Sequence, residues 1–346
     1  MKIIGIVLAL ISFMLLVLGH EFGHFSVGRL LGFKINEFSV GMGPLLWSKK
    51  KGDLQYSFRA VPLGGYCAFE GESPDEKDDE GKPVIPDPQS FYLQPARKQI
   101  PVLLAGSVNN IIIGLLIFTI IFTFTGSYSS VLSDVVKDGP AEKAGILAGD
   151  EIVAINGTYY SEWIDITEAI NGSEQNTIDV TVKRDGKEIE FRNVPTYQNE
   201  QGRKAIGIIS SVVHSPGKAF KTALSECTVM IRTLRDFFVR LFKGQASANE
   251  IGSIVQIVAV SGEYAEQYGL LTVIYLIALV SVNLGFMNLL PIPGLDGGRI
   301  LFVLIRVITR GKLSAKAEAI INNVFMFLLL GLMVVLMARD VIQLIR

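Results

Sequence analysis

Four long apolar runs divide the chain, at residues 3–31, 100–125, 270–290 and 319–337. Each supplies the ~20 apolar residues that a helix needs to cross a bilayer, so the pattern predicts four spans. The first run is longer than the apolar part of a signal peptide, and no small-residue cleavage site follows it. His20, Glu21 and His24 interrupt it, and it reads as a retained membrane helix. An even number of spans leaves both termini on one side. The first connection carries Lys34, Lys49, Lys50, Lys51, Arg59, Arg97 and Lys98, and the last carries Arg306, Arg310, Lys312 and Lys316. This basic bias predicts that both face the cytoplasm. The termini and the long middle connection then lie outside. Composition agrees, with 49% hydrophobic and 19% charged residues, where soluble domains carry about a quarter charged. The net charge of −1 argues against nucleic acid as a partner. Cys67 and Cys227 are isolated, with neither metal spacing nor a disulfide framework.

Between the spans the period changes. Residues 53–69 are rich in aromatic and β-favouring residues around Pro62-Leu63-Gly64-Gly65, which predicts a β-hairpin turning there. Together with the apolar residues 40–47, it is expected to dip into the membrane, where backbone must be paired, buried or lining a cavity. Residues 72–88 are acidic and proline-rich, a solvated linker. Residues 128–215 predict a separate α+β domain. It has a helical turn ending at Gly145, a Gly149-Asp150 turn, a strand, an Asn156-Gly157 hairpin signal, a helix near 165–170, and strands at 177–183 and 188–194. From 218 to 243, Phe220, Leu224, Cys227, Ile231, Leu234, Phe238 and Leu241 form one apolar stripe beside basic residues. A helix of this kind lies on a membrane surface or packs on the protein's own helices. The boundaries are therefore 1–127, 128–215, 216–268 and 269–346.

The chemistry begins in the first run. His20 and His24 are four apart and share a helix face, so both imidazoles can reach one metal ion, while Glu21 beside them can act as general base. The competing reading is buried polar groups that satisfy one another between helices. Yet a glutamate and two imidazoles at membrane depth are costly without a cation. A catalytic zinc site needs three protein ligands. His214 sits in a loop and is poorly placed, so a carboxylate is sought near the later spans. Asp296 follows a segment broken by Pro291 and Pro293 and precedes two glycines. It can serve as the third ligand or simply as a helix cap.

The combination of a membrane-embedded H-E-x-x-H, the segment Asn288-Leu-Leu-Pro-Ile-Pro-Gly-Leu-Asp296-Gly and an insert between spans resembles the site-2 protease family, in its bacterial regulator-of-sigma-E protease group. The resemblance implies a polytopic α-helical membrane protein with four transmembrane helices, a membrane-associated β-hairpin and an inserted PDZ-like domain. It implies one Zn2+ per chain on His20, His24 and Asp296, with Glu21 as base. Asn288 would position substrate, and the hairpin around Gly64 and Gly65 would take substrate as an added strand. The insert resembles a circularly permuted PDZ domain, with Ile206, Gly207 and Ile208 where that family binds a peptide terminus; otherwise it is a small domain that binds nothing. The implied activity is regulated intramembrane proteolysis of transmembrane proteins or peptides in the bacterial cytoplasmic membrane, downstream of a site-1 protease. The alternative is a catalytically silent, membrane-anchored PDZ scaffold. This sequence departs from the family pattern in having one PDZ-like domain, in Ala105-Gly106-Ser107 opening the second span, and in Arg299 after Gly-Gly.

Overall fold

The computed structural model describes residues 1–71, 88–245, 253–310, 313 and 315–345. The acidic linker lies almost entirely outside the described residues. The chain forms two compact units, residues 1–114 with 243–346, and residues 115–242.

In the first unit, helix α1 (Lys2–Leu30) leads into strands β1 (Ile35–Lys51) and β2 (Leu54–Phe69), and then α2 (Ala96–Thr125), whose last turns belong to the second unit. After the second unit come α6 (Ile254–Tyr268), α7 (Leu270–Asn288), α8 (Asp296–Ile308) and α9 (Ala315–Ile345). Helices long and apolar enough to cross a membrane span Lys2–Leu30, Ala96–Thr125, Leu270–Asn288 and Lys316–Gln343, as the four runs predict. Their outer faces leave large side chains uncovered, among them Ile3, Leu116, Phe124 and Phe327. A soluble protein rarely carries that much contiguous apolar surface, and a multi-pass membrane protein covers it with lipid.

The helices cross where glycine removes the side chain between them. A Cβ on Gly23 of α1 would strike the Ala105 carbonyl and lie 2.9 Å from Cα of Gly106, both on α2. One on Gly285 of α7 would lie 2.7 Å from the Ser107 carbonyl oxygen. Without water to drive association in a bilayer, close backbone approach at small residues supplies the packing. α2 is thus gripped by α1 and α7 at adjacent residues, where the functional side chains also meet.

The hairpin corrects the expected turn. The chain reverses at Gly52-Asp53 rather than at Pro62–Gly65, which lies inside β2, and residues 40–47 belong to the partner strand. The ribbon is also folded on itself. Val40 faces Gly65 on one side and Phe58 on the other. The first half of β1 is antiparallel to residues 65–69, and it runs alongside 55–58 with both numbers rising, from Glu37 opposite Gln55 to Val40 opposite Phe58. Positive φ at Gly41 (84°), Gly43 (82°) and Gly64 (100°) allows the bends. The bends carry exposed Met42, Leu45, Leu46, Trp47, Phe58 and Val61, whereas Lys49, Lys50 and Lys51 sit by the turn.

The second unit follows the sequence pattern closely. Its main sheet runs β10 (Ile208–Val213), β3 (Ser127–Val135), β4 (Glu151–Ile155), β6 (Thr177–Arg184) and β7 (Lys187–Pro195), with β5 (Thr158–Tyr159) paired to β4. α3 (Pro140–Ala144) ends on left-handed Gly145, and α4 (Trp163–Asn171) covers the predicted 165–170. β8 (Tyr197–Gln198) and β9 (Lys204–Ala205) form a small ribbon. Ile146, Ile152, Ile166, Val180 and Ile206 fill the core. The amphipathic α5 (Pro216–Phe242) buries Ala219, Ala223 and Cys227, while Lys218 reaches Glu162 at 2.7 Å and Arg232 reaches Asp165 at 2.9 Å. One face of it therefore packs on protein.

Asp150 anchors the β4 corner. Its carboxylate receives Arg184 Nε at 2.6 Å and Nη2 at 2.7 Å, and the Leu147 amide at 2.9 Å. The Arg184 hydrogen bonds, outweighing partial desolvation, hold the carboxyl below its usual range. A depressed folded-state pKa contributes stability above the unfolded value of about 3.9, lost as pH falls through the folded value. Asp150→Asn should therefore lower the thermal midpoint by a few degrees at neutral pH. The difference from wild type should vanish on acidification below the folded pKa. A gap that stays constant down to low pH, followed by tryptophan fluorescence, would contradict the charge assignment.

Candidate metal centre

α1 places His20 and His24 one turn apart on its buried face, each 7% exposed. α7 ends at Asn288, and the chain passes through Pro291 and Pro293 before Asp296 opens α8. Cβ atoms on Gly297 and Gly298 would strike the carbonyls of Leu289, Leu290 and Ile292, so only glycine lets α8 start this close to the preceding turn. Asp296 Oδ2 then lies 3.0 Å from His20 Nε2 and 3.3 Å from His24 Nε2, and the two Nε2 atoms are 3.1 Å apart.

Each of these three atoms can offer a lone pair, the imidazole nitrogens when their ring proton sits on Nδ1. His24 Nδ1 lies 2.7 Å from the Val102 carbonyl, which can only accept, so that nitrogen carries the proton. The neutral ring then offers a bare Nε2 to the other two atoms. Asp296 Oδ2 is buried without a hydrogen-bond donor among the described residues. Three such atoms converging in a buried site fit a cation. The donor set, two imidazoles and one carboxylate with its ligand atoms within 4.8 Å of one another, is that of a catalytic metal site with a coordination position left open.

Glu21 lines the same cavity as the three ligand residues. Its Oε2 accepts the Cys67 backbone N–H at 3.1 Å, which ties the carboxylate to the end of β2. A cavity of about 280 Å³ opens beside it, lined by the three ligands, Glu21, residues 66–69, Phe91, Val102, Leu103 and Arg299. Phe33, Phe69 and Phe91 pack as an aromatic trio with centroids 5.3–5.8 Å apart. The 3-10 turn Phe91–Leu93 is held by Gln99 Nε2, which donates to the carbonyls of Phe91, Tyr92 and Gln94, and Arg306 donates to Gln99 Oε1 at 2.8 Å.

The structure therefore brings together His20, Glu21, His24 and Asp296, which span 276 positions of sequence. Gly65 lies beside Glu21, with an added Cβ 3.8 Å from its Cγ, while Gly64 packs on Met42. Neither lines the cavity; the residues just after them do. Asn288 ends α7 and does not line it either. Ile206, Gly207 and Ile208 belong to the second unit. There the Ile206 side chain is in the core, and the Ile206 and Gly207 carbonyls accept from the Ala141 and Val136 amides. Any ligand contact by Ile206 would come from its backbone. Sequence reasoning missed Cys67, Phe91, Arg299 and, above all, Gly106, where a Cβ would lie 2.8 Å from His20 Nε2 and strike His24 Nε2. For Gly106 the sequence offers only the Ala105-Gly106-Ser107 opening of the span, visible as a departure from the family pattern and not as a contact with the histidines. Gly106→Ala should weaken divalent-metal affinity at least ~10-fold, the scale at which residues orienting ligands act. Chelator competition on the detergent-purified chain measures this, and unchanged affinity would show that the cage does not need the close crossing.

Comparison with known proteins agrees with this geometry. Residues 8–332 match the model of Peptidase family M50. A Clostridium acetobutylicum protein provisionally named a zinc metalloprotease is 33% identical over 344 residues, covering 99% of this chain and 98% of its own. A Clostridium perfringens protein with the same provisional name is 33% identical over 340 residues, covering 97% and 98%. Among solved structures, the PDZ domain of the SdrC-like protein from Listeria innocua is 27% identical, covering 25% of this chain and 97% of that domain, with a TM-score of 0.22. With the family match spanning both histidines, the glutamate and the distant aspartate, the chain belongs to peptidase family M50, in keeping with the site-2 protease resemblance of its motifs.

Proposed function

We propose that this protein is an intramembrane zinc metalloprotease that hydrolyses a peptide bond within or near a transmembrane segment of its substrate. The observation that carries the reading is the convergence of His20 Nε2, His24 Nε2 and Asp296 Oδ2 beside a glutamate in an apolar helix. These three side chains would hold one zinc ion. When bound, zinc polarises the scissile carbonyl and brings the pKa of a water down to about 7. Glu21 takes the proton of the attacking water and passes it to the leaving amine. The Cys67 amide keeps Glu21 facing the cavity during both transfers.

A helical substrate protects its carbonyls by internal hydrogen bonds, so it must unwind before attack, and its freed backbone needs partners at membrane depth. Residues 65–69 pair with β1 on one side and carry no second strand among the described residues. This edge, starting at Gly64 and Gly65, is the platform to which the unwound stretch would add as a strand. Asn288 would contact the substrate ahead of the cavity, from the end of α7. The inserted domain would act as a PDZ-like filter on the outer side, through the Ile206–Ile208 loop and β10. The active site would lie toward the cytoplasmic side of a bacterial inner membrane, with both termini outside, a reading supported by the basic bias of the first and last connections. A site-1 protease would trim the substrate first.

Zinc content and cleavage of a transmembrane reporter test the assignment. Glu21→Gln should keep zinc and lose cleavage by ~10²–10⁴-fold, the usual contribution of a general base. Asp296→Ala should lose the metal. Equal cleavage by wild type and Glu21→Gln would sink the reading. For the filter, deleting residues 128–215 should broaden the range of reporters cut while hydrolysis continues, and loss of all cleavage would count against it.

A further inference from the structure

Asn110 of α2 is wholly buried, one turn beyond Gly106, and its position bears on the proposed zinc reading. Its backbone carbonyl accepts the Ser281 hydroxyl of α7 at 2.7 Å, and the neighbouring Asn109 donates to the Gly19 carbonyl of α1 at 2.6 Å. The Asn110 amide is thereby held against His20, with Nδ2 3.4 Å from His20 Nδ1. The other end of that amide, Oδ1, is buried with no hydrogen-bond partner among the described residues.

The two orientations of this amide have different consequences for the ring. If the NH2 group donates to Nδ1, the imidazole proton resides on Nε2 and points at Asp296, and Nε2 has no lone pair for a metal. If Oδ1 faces the ring, Nδ1 carries the proton and donates it, and the Nε2 lone pair is free. The amide ends are close to isosteric, so rotation about the side-chain amide exchanges them without moving the helix. His24 shows the required arrangement, with Nδ1 donating to the Val102 carbonyl of the same helix. Metal-ligating histidines generally donate their second nitrogen to an oxygen acceptor, which fixes tautomer and ring orientation.

We propose that Asn110 is the positioning residue of the metal centre: its Oδ1 accepts His20 Nδ1–H and fixes the tautomer whose Nε2 faces Asp296. α2 then supplies one oxygen to each imidazole, the Val102 carbonyl to His24 and the Asn110 amide to His20. This inference rests on the proposed zinc reading, and its test separates the two.

The test uses the full chain carrying Glu21→Gln, purified in detergent, with zinc affinity measured by chelator competition and the visible spectrum of the cobalt-loaded protein as a second readout. Asn110→Leu retains volume and removes the acceptor, so it should bind zinc ~10–100-fold more weakly, with a cobalt spectrum changed in intensity. Asn110→Asp restores an oxygen and should bind within about threefold of the parent. A role in packing alone would not distinguish these variants in that order. If Asn110→Leu fails to fold, Asn110→Ala takes its place with the same expectation. Parent-like zinc affinity in the acceptor-free variant, or affinity in Asn110→Asp as low as in Asn110→Leu, overturns the positioning role while leaving the zinc reading intact. A parent that binds no zinc overturns both.

Discussion

Two imidazole nitrogens and a carboxylate oxygen converge in a buried place among the apolar helices, and the architecture around them is built to bring that about. His20 and His24 need only a helix, because a separation of four residues aligns them on one face. Asp296 needs much more. A carboxylate at membrane depth is expensive unless paired or bound to a cation, and this one arrives after a helix has been broken, turned and restarted. Gly297 and Gly298 let the restarted helix press against the carbonyls of the turn before it. Gly106 lets α2 come close enough that its backbone, rather than a side chain, forms the wall behind the imidazoles. Each of these glycines gives up helix propensity of about 1 kcal/mol relative to alanine, a cost recovered only if close approach is what the site requires.

The folded ribbon of β1 and β2 would suit the same environment if, as proposed, it reaches membrane depth. Open sheet edges are not tolerated in contact with lipid tails. By bending at Gly41, Gly43 and Gly64, a single hairpin gives the first half of β1 a neighbour on both sides. Its apolar bends, with Trp47 and Phe58, suit hydrocarbon, and the lysines by the turn suit the polar interface. Two outer segments remain among the described residues: 47–51, which carries the lysines by the turn, and 65–69, which lines the cavity beside the metal-ligand cluster.

What was legible in the sequence follows from the range of the signal. The four spans, the turns at Gly145 and Asn156-Gly157, and the strands of the second unit are local patterns, and the structure reproduces them within a few residues. His20, Glu21 and His24 are local as well. The broken helix before Asp296 is also a local signal, but by itself it leaves ligand and helix cap both open, and the ligand role comes from the combined motifs and their resemblance to a family. The hairpin turn was misplaced because Pro62-Leu63-Gly64-Gly65 resembles turn chemistry, whereas its glycines serve a bend within a strand. Gly106, Asn110 and Cys67 were missed because their importance lies in what faces them across a helix or strand crossing. No period along α2 distinguishes a glycine that admits an imidazole from one that merely packs.

The bond from the Cys67 amide to Glu21 joins these two parts of the structure. Cys67 sits opposite Phe38 in β1 and gives its N–H to Glu21, so the carboxylate is tied to the segment of β2 that lines the cavity. The base and the edge are therefore not independently mobile. A substrate backbone added along residues 65–69, as proposed, would take its register from the same strand that holds the glutamate by a hydrogen bond. Rigid positioning of this kind contributes to catalysis by removing orientational freedom before the chemical step. On the proposed reading it would also explain why the base stands next to a metal ligand in sequence: α1 fixes Glu21 relative to His20 and His24, the Cys67 amide ties it to β2, and one side chain carries both constraints.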